Sequence, residues 1–237
     1  MENNQPLIYT QLKAVDSDRA LLSLFAPVAE RRAVQVIDLW NAETARIRDE
    51  VREPHMGLIR LQWWRDEIRR ICEGGGATAH PVTVLLSDVI PAYGLPFELF
   101  DRALRGREFE FENRAAESIE ELVAYAEDIH APVLELKSRI LKYSGGVGAL
   151  ARDYALIGII RSIPFQEQRG RRFISNTKET VREICGMVSS QKSTDKYFKA
   201  TNALMRLYLK QIAEAGYDPH AIQPVPFKEL RVWFKSL

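Results

Sequence analysis

Two helices meet in the stretch Arg48-Asp49-Glu50-Val51-Arg52-Glu53-Pro54, and the second of them carries Arg60-Leu61-Gln62-Trp63-Trp64-Arg65-Asp66. Upstream, Ala33, Val36, Ile37, Trp40, Thr44 and Ile47 recur at three- and four-residue steps, which predicts one long helix from about Val28 to Arg52. Pro54 breaks the chain, because proline lacks the backbone donor and disfavours helical geometry in the residue before it. Met56, Ile59, Trp63 and Ile68 then give the second helix its apolar face, until Gly74-Gly75-Gly76 closes it. Neighbouring tryptophans on a helix point in different directions, so one of Trp63 and Trp64 should enter the core and the other line a cavity or a partner surface. Asp38, Ala42, Ala45 and Asp49 form one stripe of the first helix, a carboxylate row interrupted by two alanines. Arg46, Arg48, Asp49, Glu50 and Arg52 crowd its end. Read alone, they are a solvated charged face with local ion pairs.

The helical period continues away from this junction, and no convincing two-residue alternation appears. A polar lead-in over residues 1–18 precedes a short helix capped by Asp16-Ser17-Asp18, which carries Leu21, Leu22, Leu24 and Phe25. Pro81 and Pro96 suit the first turns of two further helices. Glu117 to His130 reads as one helix, and Pro132 as the start of another with Leu136, Ile140 and Leu141. Gly145-Gly146 separates it from the apolar segment Val147–Ile163. The sequence Ile159-Ile160-Arg161-Ser162-Ile163-Pro164 should end that helix at its proline, ahead of a basic loop, Gln168-Arg169-Gly170-Arg171-Arg172. Helices near Lys178–Ser190 and Lys196–Ala215 follow. The tail, residues 216–237, contains prolines and ends in an aromatic segment with Trp233 and Phe234. The expected architecture is all-α in a single domain over residues 1–237.

Composition removes several function classes. Lys plus Arg number 33 against 32 Asp plus Glu, so no broad basic field exists to attract nucleic acid. No apolar run reaches the roughly 18–20 residues that a transmembrane helix requires. Met1-Glu2-Asn3-Asn4 shows neither a signal-peptide pattern nor an Arg-rich presequence, so a cytoplasmic location is expected, with peripheral contact to the inner membrane left open. Cys72 and Cys185 are far apart and read as reduced thiols. His55, His80, His130 and His220 have no metal-ligand spacing. Gly145-Gly146-Val147-Gly148 lacks a preceding strand and reads as an inter-helix turn rather than a phosphate cradle. The basic residues beyond Pro164 could meet a diphosphate, a lipid headgroup or an acidic partner, or could be solvated.

In order and separation, these segments resemble the squalene/phytoene synthase family. The family carries D-D-x-x-D-E on one helix, a W-R segment, a tyrosine-bearing helix, and N-x-x-R-D-x-x-x-D followed by R-G-R and an aromatic. Here Ala45-Arg46-Ile47-Arg48-Asp49-Glu50 stands at the first motif and Trp64-Arg65 at the W-R segment. Glu121-Leu122-Val123-Ala124-Tyr125 stands at the tyrosine helix. Gly158 to Gln166 stands at the second motif, and Arg169-Gly170-Arg171-Arg172-Phe173 at its tail. The resemblance implies an isoprenoid-synthase-type helical bundle around a central cavity. In that family the two aspartate motifs hold the magnesium ions that carry substrate diphosphates. The first motif here retains only Asp49 and Glu50. At the second, Gly158, Ser162 and Gln166 replace the amide and both carboxylates. Magnesium binds hard oxygen ligands, commonly carboxylates, in near-octahedral geometry.

The junction stretch and Arg161-Ser162-Ile163-Pro164-Phe165 most resemble the branch of the family formed by the mitochondrial complex I assembly factor of phytoene-synthase type and its bacterial relatives, where R-x-I-P-F replaces the second motif. The resemblance therefore implies a catalytically degenerate protein with no catalytic residues and no cofactor. Its partners would be respiratory complex I subunits or an isoprenoid or lipid ligand. The remnants of the diphosphate site would be Arg46, Asp49, Glu50, Trp64, Tyr125, Arg161, Gln166 and Arg169. The alternative is a prenyltransferase condensing isoprenyl diphosphates with an altered site, in which Mg2+ would rest on Asp49 and Glu50. Without metal, those carboxylates are expected to pair with arginine, Arg161 or Arg169 being the candidates.

Overall fold

The computed structural model describes residues 5–175, 177–189 and 193–236, with side chains from residue 7 onward. The reading of Met1-Glu2-Asn3-Asn4 and the expected helix end at Ser190 lie outside them. Among the described residues there are eleven α-helices, two short 3-10 helices and no strand. The α-helices are α1 (Gln5–Val15), α2 (Ser17–Ser23), α3 (Val28–Glu50), α4 (Pro54–Cys72), α5 (Pro81–Tyr93), α6 (Phe97–Gly106), α7 (Ile119–Ile140), α8 (Gly148–Glu167), α9 (Lys178–Met187), α10 (Lys196–Glu214) and α11 (Lys228–Ser236). The 3-10 turns are Arg107–Phe111 and Pro219–Ala221.

The chain divides into two compact units, Met1–Glu112 with Pro132–Ser144, and Asn113–Ala131 with Gly145–Leu237. In the first, α3 is the organising helix and packs against α1, α2, α4 and α5. Val34, Ile37 and Trp40 are buried along it, and Trp40 meets Phe100 of α6 edge-on at 4.9 Å. The chain enters α2 through Asp16, whose carboxylate accepts the Arg19 backbone N–H at 2.8 Å. At the α3–α4 junction the expected break is present. Val51 is extended, Glu53 is extended, and Pro54 opens α4 where its missing N–H removes no intrahelical bond. In the second unit, α8 packs against α9 and α10, and α11 packs against α10.

Four expectations are corrected. The polar lead-in contains α1, whose Ile8 and Leu12 are buried while the helix packs on α2 and α3. Ile8, Leu12 and Val15 recur at four- and three-residue steps, a helical period that the reading as a polar lead-in passed over. The aromatic tail likewise contains α11. Pro132 begins no helix; it lies inside the single helix α7. Pro164 does not end α8, which runs on to Glu167. An internal proline removes one hydrogen bond and crowds the preceding turn. Burial on both sides offsets this, through Ile129, Ala131, Val133 and Leu134 around the first proline and Ile159, Ile160 and Ile163 before the second.

Candidate functional site

The remnants of the first motif sit at the C-terminal end of α3. Arg46 donates to Glu50 of the next turn at 2.6 Å and to Glu43 at 3.2 Å. From α4, Arg60 reaches the other oxygen of Glu50 at 2.8 Å. The hydrogen bond from Arg46 above all, with the Arg46 charge and Arg60 adding to it, holds the Glu50 carboxyl below its usual range against the opposing effect of burial. Glu50 is thus paired with Arg46 and Arg60, neither of them the expected candidate. Asp49 beside them is exposed. Arg48 turns the other way, donating from Nε to the Glu110 carbonyl at 2.7 Å and lying over the Phe111 ring.

The W-R segment separates as a helix requires. Trp64 is buried, packed edge-on against His80 at 5.0 Å, and Trp63 is 38% exposed. Arg65 is clamped between Asp101 at 2.6 Å and Glu108 at 2.8 Å, which ties α4 to α6 and to the following 3-10 turn. Gly57 on the same helix lies so close to Phe111 that a Cβ there would fall 1.8 Å from the ring. A glycine is therefore required by contact rather than by backbone conformation.

In the second unit, Tyr125 of α7 stacks on Phe173 with ring centroids 5.4 Å apart and an interplanar angle of 18°. The Phe173 carbonyl accepts the Ala116 N–H at 2.7 Å. The tyrosine helix and the tail of the second motif, far apart in sequence, thus form one contact. On α8, Gly158, Ser162 and Gln166 share a face at four-residue steps. A Cβ at Gly158 would meet nothing within 4 Å, so packing does not require the glycine. The Ser162 hydroxyl folds back onto the Ile159 carbonyl at 2.8 Å, and the Gln166 side-chain oxygen is buried without a hydrogen-bond donor. Arg161 lies over the Tyr208 ring at 3.4 Å, beside a cavity of about 550 Å³ that also involves Pro164, Gln211, His220 and Lys228. Arg169 lies over Phe165 at 3.5 Å, and Gly170 turns the chain after it with a φ of +68°.

The burial of several charges escaped the sequence reading, those of Asp38 and Asp153 among them. Asp38, fully buried on α3, binds Lys137 of α7, itself 2% exposed, and lies 3.5 Å from Arg19. Burial pushes the Asp38 carboxyl up and the Lys137 ammonium down, and each is opposed by the other's charge. Asp153 of α8 is also buried, held by Arg152 at 2.7 Å and by the Ser189 N–H at 2.8 Å. The available signal was a lone acid inside an apolar run, Ile37-Asp38-Leu39, which a helix cannot bury without a counter-charge.

No group of three or more His, Cys, Asp or Glu side chains among the described residues is placed to hold a metal ion. The second-motif face offers no carboxylate, and Glu50 is already held by two guanidinium groups.

The model of the squalene/phytoene synthase family matches residues 12–178. This chain belongs to that family. Among curated members, NADH dehydrogenase (ubiquinone) complex I, assembly factor 6 of Homo sapiens is 27% identical over 173 residues, covering 69% of this chain and 50% of the relative. The assembly factor 6 homolog of Dictyostelium discoideum is 29% identical over 131 residues, covering 54% and 36%. This squalene/phytoene synthase family chain spans about half the length of the curated relatives it matches. Among solved structures, squalene synthase HpnC from Alicyclobacillus acidocaldarius superposes with a TM-score of 0.73 at 16% identity, covering 90% of this chain and 94% of that one. A dehydrosqualene synthase gives 0.71 at 14% identity, covering 98% and 94%. At these identities the superpositions establish the fold, that of the helical isoprenoid synthases. No helix among the described residues is long and apolar enough to cross a membrane.

Proposed function

We propose that this protein is a non-catalytic member of the squalene/phytoene synthase family that assists assembly of respiratory complex I. The observation that carries the reading is the state of the two motifs. Glu50 is neutralised by Arg46 and Arg60, and the second motif presents Gly158, Ser162 and Gln166 where the family has its amide and carboxylates. Prenyl transfer of this type needs a cation to stabilise the departing diphosphate, and losing that electrostatic stabilisation removes its largest source of rate. The similarity to complex I assembly factor 6 supports the partner class, complex I subunits. In this reading the protein works in the cytoplasm beside the inner membrane, and the frame that served catalysis elsewhere in the family serves binding, of a subunit or of an isoprenoid or lipid.

Two measurements test it. Incubation of the purified chain with farnesyl or geranylgeranyl diphosphate and magnesium should release no pyrophosphate and form no coupled hydrocarbon. Release together with a coupled product would establish the prenyltransferase alternative in its place. Deleting the gene should lower NADH:quinone oxidoreductase activity and leave squalene and phytoene levels unchanged, and normal oxidoreductase activity in the deletion strain would remove the assembly role.

A further inference from the structure

Helix α11 packs on α10 through Val232, which is fully buried, and Ser236, which is 5% exposed. The rest of its surface is unusual for a short helix. Leu230, Trp233 and Phe234 are 57%, 50% and 66% exposed, and Phe227, immediately before the helix, is 75% exposed. Burying such side chains is normally favourable, and single exposed apolar residues are common, but four large ones within eight positions form a patch that implies an apolar neighbour.

The helical angle separates the residues into distinct arcs. At about 100° per residue, Leu230, Trp233 and Phe234 fall within an arc of roughly 100°, on the far side from Val232 and Ser236. Arg231 and Lys235 flank one side of that apolar arc, Glu229 lies at the opposite edge, and Lys228 falls nearer the Val232 side. Three cations against one anion make the helix locally basic in a chain whose overall formal charge is only +1. The helix thus joins a local excess of positive charge to exposed apolar surface. Apolar and aromatic side chains facing outward, a tryptophan among them, with lysine and arginine along the border, match the requirements of the bilayer interface. Rings and leucine enter the boundary between headgroups and acyl chains, and the long basic side chains reach anionic headgroups.

We infer that α11 is a peripheral membrane-docking element, with Phe227, Leu230, Trp233 and Phe234 entering the bilayer interface and Arg231 and Lys235 contacting anionic lipid. The occupant of this face is an anionic lipid surface. A protein partner would have to be acidic and apolar together, whereas a bilayer with anionic headgroups supplies both properties over its whole area. The inference does not require the loss of catalysis proposed above, since a working synthase could dock in the same way. Its failure and the failure of the assembly reading are therefore distinguishable.

The test uses the full chain with vesicles of phosphatidylcholine and with vesicles that also contain phosphatidylglycerol, read by co-sedimentation and tryptophan fluorescence. The expected result is binding to the anionic vesicles, weakened by high salt, with a blue-shifted emission that disappears in Trp233→Phe. Because Leu230 and Phe234 are exposed, Leu230→Ser/Phe234→Ser should fold with an unchanged melting curve and lose tenfold or more in partitioning, on the order of several CH₂ groups withdrawn from the interface. Arg231→Glu/Lys235→Glu should lose binding to anionic vesicles, about fivefold for each charge removed and more on reversal, while leaving the weak neutral-vesicle background unchanged. Equal binding by wild type and both variants, or no binding above the neutral background, would overturn the inference. So would a concentration-dependent dimer abolished by Leu230→Ser/Phe234→Ser in the absence of lipid, which would assign the face to a second copy of the chain.

Discussion

The buried pair of Asp38 and Lys137 should dominate the stability of the first unit, and Asp38→Asn is the perturbation that reveals it. The substitution keeps the shape of the side chain and removes its charge. Arg19 retains Asp16 at 2.8 Å, so the change falls mainly on Lys137, which is 2% exposed and loses the carboxylate that offsets its burial. The lysine can relieve the penalty by giving up its proton. At neutral pH that costs about 1.36 kcal/mol for each of the roughly 3.4 units separating pH 7 from an ordinary lysine pKa of about 10.4, so about 4.6 kcal/mol bounds the loss from this source. Buried pairs broken at one partner lose about 3–5 kcal/mol, in agreement with that bound. The expected loss is therefore about 3–4.5 kcal/mol in urea denaturation followed by circular dichroism. Burial lowers the lysine pKa in the folded state, so between the folded and unfolded values the unfolded chain binds more protons and stability rises with pH. The defect of Asp38→Asn should accordingly shrink as pH rises toward about 10. Replacing both partners, Asp38→Leu/Lys137→Met, should come within about 2 kcal/mol of wild type. A loss below about 1 kcal/mol for Asp38→Asn, or a defect that does not change with pH, would refute the reasoning.

Gly57→Ala should cost about 1–3 kcal/mol, because its Cβ would lie 1.8 Å from the Phe111 ring; Phe111→Leu in the same background should recover part of the loss, and additive losses would argue against the clash. Glu121 is held at about 2 by hydrogen bonds from Arg114 and from the Glu117 N–H, so its contribution to stability is complete above the unfolded value and is lost as pH falls toward about 2. The acid arm of the stability profile should flatten in Glu121→Gln, and an unchanged arm would remove Glu121 from the account. Cys72 is exposed and Cys185 is buried with its thiol pushed up to about 11, so an aromatic disulfide reagent under mildly alkaline conditions should label one thiol per folded chain and the second only on unfolding. Asp49→Ala, at an exposed position where ion pairs and hydrogen bonds are weak, should change stability by less than about 1 kcal/mol in the same urea assay, and a larger loss would refute this.

The sequence by itself determined the helical class, the junction at Pro54, the outward and inward tryptophans, and membership of the family. Each of these is local. Apolar spacing, a proline at a helix start and the direction of adjacent side chains are properties of a few consecutive residues. Only the tertiary structure decided whether Pro132 and Pro164 would interrupt their helices, because the outcome depends on burial by residues distant in sequence. Packing on α2 and α3 also decided which apolar positions of α1 are buried, Ile8 and Leu12, while Leu7 and Val15 stay exposed. The resemblance singled out Arg46, Asp49, Glu50 and Tyr125 as motif positions. That Arg60 closes on Glu50, that Tyr125 stacks on Phe173, and that Asp38 faces Lys137 depended on which helices become neighbours. A charged side chain's partner is set by the nearest opposite charge in space. The pattern along the chain marks a charge that needs neutralising, and the packed structure selects the group that neutralises it.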